Sequence, residues 1–377
     1  MTRTTILVLG GYGNFGARIV RALAGDPAIA LLIGGRSAAK AGALAQEVGS
    51  APLVLDIEAP DLAARLRAAD VGLVIHTAGP FQGRDYAVAR ACAAAGAHYI
   101  DLADGRRFVC DFGAALDAEF RAAGRCAIAG ASTVPALSSA VVDALTAGWR
   151  RLDAIAICIG PAQTAPRGIA TLEAVLGYCG APVQVWRDGR WQVEHGWAEP
   201  VRVEFLRMKP RLGSLCDIPD LELFPARYAG VRDVMFRAAL EVGLSQRGLA
   251  WLAAWRRRGW IARPERFAGL LNAAASWFDP FGTSLGGMVV RVNGETADGR
   301  AVARAWHVAA DDDHGPEIPC MAAILLARRL ARGQALPAGA VPCMGLLDLA
   351  EFAPEFARWG MVTDIVEETP EHGPRSL

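Results

Sequence analysis

Two hydrophobic rhythms divide the chain. Over the first 130 residues, short β-rich apolar runs alternate with longer Ala-rich stretches whose apolar positions recur at helical spacing. The runs fall at 4–9, 29–34, 52–55, 71–76, 98–101 and 125–129, and the stretches between them predict helices. Four of those helices stop at Gly25, Gly49, Gly96 and Gly124, the residue type that best accepts the left-handed conformation just past a helix end. Six strands alternating with helices predict a parallel sheet covered on both faces. Right-handed crossovers make it a doubly wound Rossmann sheet, an α/β fold.

The rhythm changes after Ser138. Residues 139–147 predict one more helix, and two hairpins follow. One spans 183–193 and turns at Asp188-Gly189; the other spans 288–308 and turns at Asp298-Gly299. Antiparallel hairpins have no place in an all-parallel nucleotide sheet. The chain therefore reads as a Rossmann domain over 1–130 followed by a second, α+β domain over 131–316. In the C-terminal segment, 317–368, residues 318–330 predict an apolar helix, and a disordered tail fills 369–377.

Composition narrows the function classes. The formal net charge of zero offers no basic surface for nucleic acid. The only lysines are Lys40 and Lys209, so Schiff-base chemistry has two candidates at most. Eight cysteines, at 92, 110, 126, 158, 179, 216, 320 and 343, form no CxxC pair and read as reduced core residues. The six histidines are isolated, and no metal site is expected. No apolar run is long enough to span a bilayer, and the chain opens directly on a strand, so the cytoplasm is the expected location.

The first strand runs straight into Gly11-Tyr12-Gly13-Asn14-Phe15-Gly16, which opens the next helix. Gly11 is expected to permit a tight turn. Gly13 lets backbone approach a pyrophosphate seated on the helix N-terminus, and Gly16 lets the helix pack close to the sheet. A lone GxGxxG is a common turn; the strand before it, the helix after it and five further strands make it a dinucleotide site. The second strand decides which dinucleotide. NAD binders carry an acid there for the ribose 2′-hydroxyl, whereas this chain has Arg36 and Ser37, with Lys40 one turn on. Such groups bind a 2′-phosphate through charge-assisted hydrogen bonds, which predicts NADP(H). At the other strand ends, Asp56 and Ile57 flank the adenine, and Thr77, Ala78, Gly79 and Pro80 pass the ribose and nicotinamide. His76 reads as a strand-end histidine rather than a catalyst.

These stretches (GGYGNFG, GGRSAAK, HTAGPF, HYIDLADG, AGASTVPALSSAVVD), followed by DIPDLELF, GMVVRVNG and GPEIPCMAAILLARRL, resemble the saccharopine dehydrogenase-like family of NADP-binding oxidoreductases over nearly the whole chain. The resemblance implies a Rossmann domain, an inserted α+β domain with a mixed or antiparallel sheet that serves substrate binding and dimerisation, a C-terminal segment (317–368) that returns to the Rossmann domain through the helix at 318–330, and a homodimer. It also implies hydride transfer to or from an imine carbon, making or cleaving a secondary amine. The chain departs from the saccharopine reductases at the turn after the sixth strand: they carry an acid and a histidine there, and Gly130–Pro135 has neither. A second branch of the family resembles trans-acting enoyl reductases of lipid synthesis.

Hydride transfer asks for positioning and electrostatic help more than for a nucleophile. The small-molecule substrate is expected between the nicotinamide edge and the second domain. Asp104 is a candidate proton donor, while Asp101 reads as a loop carboxylate bonding backbone N–H groups. Ser132 and Thr133 either cap the following helix or offer hydroxyl and N–H groups to a substrate carboxylate or oxyanion. Seven tryptophans, at 186, 191, 197, 251, 255, 260 and 277, mark the second domain. Trp251 and Trp255 share a helical face next to Arg256, Arg257 and Arg258. Core packing is the first reading of that face, lining for an apolar substrate the second, and contact with lipid headgroups the third. Three functions follow: hydride transfer at C=N, C=C reduction on an apolar or lipid-like substrate, and NADP-dependent sensing or membrane-surface docking without turnover.

Overall fold

A computed structural model describes residues 3–166 and 168–369. All of the expected tail beyond Thr369 lies outside the described residues. Along the chain come β1 (Thr4–Leu9), α1 (Asn14–Leu23), β2 (Ile29–Gly35), α2 (Ala38–Val48), β3 (Ala51–Val54), α3 (Leu62–Ala68), β4 (Leu73–His76), α4 (Ala87–Ala95), β5 (His98–Asp101), α5 (Arg106–Ala122) and β6 (Cys126–Ala129). Next come α6 (Ser138–Leu145), β7 (Trp149–Gly160), α7 (Ile169–Tyr178), β8 (Pro182–Arg187), β9 (Arg190–His195), β10 (Val201–Val203), β11 (Arg211–Leu215), α8 (Asp220–Arg227), β12 (Asp233–Ala238), α9 (Gly243–Arg257), α10 (Ala268–Ala275), β13 (Gly286–Thr296) and β14 (Ala301–Ala310). The chain ends with α11 (Ile318–Ala331), β15 (Gly339–Pro342), α12 (Leu349–Arg358) and β16 (Val362–Glu368).

Two compact units result, one from 3–137 with 317–347 and one from 138–316 with 348–369. This differs from the expected division in two ways. The first unit extends through the turn at 133–137, past residue 130. Of the segment 317–368, only the part up to Leu347 joins the first unit, because β16 pairs with β14 of the second.

The first unit's sheet has the order β15-β6-β5-β4-β1-β2-β3, and every pairing is parallel. Helices on both faces bury Ile6, Leu7, Val8 and Leu9 of β1 completely, which is why that strand is apolar at consecutive positions. The four helix-ending glycines all take positive φ, between 60° and 78°. β15 is a seventh strand that periodicity did not reveal.

The second unit's sheet is mixed. Its order is β10-β11-β12-β7-β13-β14-β16, with the β8–β9 hairpin attached to β12. Only β12–β7 is parallel. Both expected hairpins form; Asp188 and Gly189 turn with φ of 52° and 72°, the positive pair that a two-residue hairpin loop requires. Core packing of the Trp251/Trp255 face is overturned. Trp251, Trp255, Trp260 and Trp277 are 61%, 45%, 70% and 79% exposed, while Trp197 and Trp306 are the fully buried tryptophans of this unit.

Candidate dinucleotide site

The turn from β1 into α1 is built by glycines for different reasons. The left-handed residue is Gly10, with φ of 75°, one position before the Gly11 expected from the motif. Gly11 is needed for space instead: a Cβ there would lie 2.8 Å from Val8 O and 2.9 Å from Ile33 Cγ2. A Cβ on Gly16 would overlap Gly10 O, so the helix approaches the turn as closely as the motif predicts. Gly13 donates its N–H to Gly10 O at 2.8 Å and is the N-cap of α1. No side chain caps this helix and no acid stands in its first turn, which leaves its positive end open to an anion. On that first turn Asn14 is exposed, and Phe15 O accepts the Cys320 thiol at 3.6 Å.

Tyr12 ties this turn to the tip of β2. Its ring lies where a Cβ on Gly35 would be, and its hydroxyl accepts the Ser37 N–H at 3.0 Å. Ser37 Oγ in turn accepts the Lys40 N–H at 3.3 Å and caps α2. Arg36 and Lys40 are exposed, and neither side chain bonds or ion-pairs with any described residue. A nearby acid, Glu47, is already held by Arg21 at 2.7 Å. Two cationic side chains therefore stand uncommitted beside the glycine turn, next to a hydroxyl whose oxygen already caps α2.

The other strand-end loops join on the same carboxyl edge, around the point between β1 and β4 where the strand order reverses. Thr77 Oγ1 donates to Leu9 O at 2.8 Å, and a Cβ on Gly10 would sit 3.0 Å from Ala78 N. Gly79 N bonds back to Thr77 O, which turns the chain into Pro80. Gln82 Nε2 donates to Asp104 Oδ1 at 3.0 Å, linking the loops after β4 and β5. Asp101 Oδ1 accepts the Ala103 N–H at 2.9 Å and the Gly130 N–H at 2.8 Å, linking those after β5 and β6. After β3, Leu55 N bonds Gly35 O, and half-buried Asp56 and Ile57 follow, with Asp56 Oδ1 accepting the Glu58 N–H at 3.1 Å.

A buried titratable row lies beneath these loops. His76 and Asp101 are register partners on β4 and β5, and the Tyr99 hydroxyl meets His76 Nδ1 at 3.0 Å. Burial pulls His76 down to about 4 and pushes Asp101 up to about 7, against the backbone N–H groups that favour its charge. Tyr99 is a member that motif reading missed; its signal is the i, i+2 spacing to Asp101 on one strand face. Asp104 reaches solvent yet is closely ringed by protein atoms, and that partial desolvation raises its carboxyl above the ordinary range. Ser132 and Thr133 are buried, and neither hydroxyl bonds a described residue. The capping role is therefore not what holds them. The cysteines are free, and all but Cys110 are buried. No helix among the described residues is long and apolar enough to cross a membrane.

Residues 6–144 match the family model described as the saccharopine dehydrogenase NADP binding domain. The fold is similar to apo saccharopine dehydrogenase (L-Glu forming) from Saccharomyces cerevisiae, with TM-score 0.69 and 14% identity over 97% of this chain and 100% of that one. It is also similar to the homospermidine synthase of Legionella pneumophila in complex with NAD, with TM-score 0.59 and 10% identity over 98% of this chain and 92% of that one. No curated protein sequence matches the chain. The family, the Rossmann fold and the NADP cofactor expected from the sequence all agree with these findings.

Proposed function

We propose that this saccharopine dehydrogenase-like chain, an NADP-dependent oxidoreductase, moves hydride to or from the carbon of a C=N bond in a small-molecule substrate. The observation that carries the cofactor half of this reading is the pair of uncommitted cations, Arg36 and Lys40, beside a glycine turn that leaves a helix N-terminus open. The bound dinucleotide supplies or accepts the hydride at its nicotinamide ring. The chain's own residues do the rest. The α1 N-terminus and Gly13 hold the pyrophosphate, while Arg36, Ser37 and Lys40 hold the 2′-phosphate. Asp56 and Ile57 flank the adenine, and Thr77 to Pro80 pass the ribose and nicotinamide. Ser132 and Thr133 orient the substrate with hydroxyls that no described residue uses. Asp104, its carboxyl raised, delivers the proton.

The C=N half rests on the family resemblance and on the names borne by two similar folds, saccharopine dehydrogenase and homospermidine synthase. The test is NADPH oxidation over matched imine and enoyl panels. Turnover confined to imines is expected; turnover confined to enoyl substrates overturns the C=N assignment and leaves the nucleotide site standing.

A second reading concerns where the protein works, and the exposed aromatic face favours it. On α9, Leu244, Trp251 and Trp255 face outward while Gln246 and Ala253 face in; on α10, Leu270 and the following Trp277 are exposed. Across 243–282 six arginines stand against Glu265 and Asp279, a net charge of +4. Two copies meeting through this face would set like charge on like charge, so its occupant is an anionic lipid surface. Flotation with anionic but not zwitterionic vesicles, lost in the Trp251→Ala/Trp255→Ala variant, is the expected result. Self-association through the face without vesicle binding overturns it.

A further inference from the structure

The strand ends of the nucleotide sheet are tied to one another in a ring. Thr77 Oγ1 on Leu9 O joins the loop after β4 to β1, and the Ser37 N–H on Tyr12 joins the tip of β2 to the glycine turn. Leu55 N on Gly35 O joins the loop after β3 to β2. The ring closes where Arg84 Nη1 donates to Glu58 Oε1 at 3.0 Å. Among the described residues, no other hydrogen bond or ion pair joins 55–61 to 77–86. The sheet order gives this last link a long reach, because Glu58 follows β3, Arg84 follows β4, and β1 and β2 lie between those strands. Three strand intervals at the ordinary spacing amount to about 14 Å. The helices that the two loops lead into, α3 and α4, pack against each other and so bring the loops together. They meet beside the strand ends that carry the glycine turn and Arg36.

The link differs from the rest of the ring. The others end on backbone atoms or on half-buried side chains, whereas the side chains of Arg84 and Glu58 are 52% and 71% exposed. Both backbones beneath it are held. Phe81 is buried with its ring 5.0 Å from that of His76 and 5.3 Å from that of Phe108, Gly83 turns the chain with φ of 69°, and Arg84 N bonds Phe81 O. Glu58 N bonds Asp56 Oδ1. Parting the ring here therefore needs two side chains to move and no backbone. We propose that the Glu58–Arg84 pair is a latch on the adenosine end of the dinucleotide site, opened each time a dinucleotide enters or leaves. An ion pair in water adds little stability and opens readily, so the latch acts on rates more than on affinity.

Stopped-flow fluorescence of NADPH with the full chain tests it, association being followed on mixing and release by displacement with excess NADP⁺. Glu58→Gln and Arg84→Gln should each speed both association and release about threefold and leave Kd within about twofold of the parent. The double variant should match either single one, since the same bond is broken in all three. Exchanging the charges, Glu58→Arg with Arg84→Glu, should restore the parent rates. Charge steering alone gives a different pattern: losing an acid speeds association of the anionic dinucleotide, and losing a cation slows it. The latch is overturned if the two single variants move association in opposite directions, if either leaves release unchanged, if their effects add, or if the exchange does not restore the parent rates. It rests on the dinucleotide site at the glycine turn. A parent with no affinity for NADPH removes site and latch together, whereas tight binding with unaltered rates in the variants removes the latch alone.

Discussion

Removing the two cations at the tip of β2 should convert a selective dinucleotide site into an indifferent one. The side chains of Arg36 and Lys40 make no hydrogen bond or ion pair with described residues, so Arg36→Ala and Lys40→Ala remove no polar interaction from the apo protein, and stability should stay within about 0.5 kcal/mol of the parent. Their whole effect falls on the 2′-phosphate. A hydrogen bond to a charged group contributes about 1.5–3 kcal/mol net, and water competes at an exposed site, so the lower figure suits Arg36. That corresponds to roughly a tenfold loss of NADPH affinity. Lys40, a more strongly hydrated point charge, adds about 1 kcal/mol, and the double variant should lose on the order of fifty-fold. NADH carries no 2′-phosphate and should bind all forms alike. Fluorescence titration of both dinucleotides against parent, single and double variants measures this directly, and added salt should shrink the preference in the parent alone. Equal affinity of the parent for both dinucleotides, or a preference that survives the double substitution, refutes the reasoning.

Three further outcomes are expected. Gly16→Ala drives a Cβ into Gly10 O, and should lower the Tm, cost about 1–3 kcal/mol and abolish NADPH binding; unaltered binding means the helix does not need its close approach. Ser132→Ala with Thr133→Val should reduce turnover of a verified substrate while leaving Tm unchanged, since neither hydroxyl bonds a described residue; a fall in Tm with full activity assigns them a structural role. Burial lifts Asp220 to about 7, as it does Asp101, so the folded state keeps protons that the unfolded chain releases above about pH 4. Their stabilisation is complete below that pH and fades as pH rises toward 7. Asp220→Asn retains an acceptor for Ser138 Oγ, now 2.5 Å away, and should flatten the decline of the urea midpoint between about pH 5 and 8 relative to the parent; His76, His98 and His307 pull the other way but cancel in that comparison. An unchanged slope counts against the buried acid.

Local chemistry explains what could be read from residues alone. The six strands of the nucleotide sheet are short apolar runs punctuated by helix-ending glycines, and both signals are set within a few residues. The β8–β9 hairpin announced itself through Asp188-Gly189 for the same reason. What stayed hidden depends on distant partners. Gly339–Pro342 has no alternation and ends in proline; it is a strand only because β6 offers an unpaired edge. The left-handed residue moved from Gly11 to Gly10 because Val8 O and Ile33 crowd Gly11, a matter of packing rather than motif. Tryptophan bulk at 251 and 255 suggested a core, yet α9 turns its smaller residues inward, and composition alone cannot choose a helix face.

β15 has a consequence for how the protein is made. The strand beside β6 comes from residues that a ribosome adds only after 138–316, most of the second unit, and Ala340 N then bonds Asp117 Oδ1 on α5 at 3.1 Å. The covering of α1 arrives equally late, through the Arg18–Glu317 ion pair at 2.9 Å and the Cys320 thiol on Phe15 O. During synthesis the nascent nucleotide sheet therefore carries a bare edge and a bare helix flank, the features that recruit other strands and cause aggregation. Recombinant fragments that stop before Gly339 inherit that exposure permanently, so the nucleotide-binding half is not a portable module. It is finished by residues 317–347, which emerge only after most of the second unit.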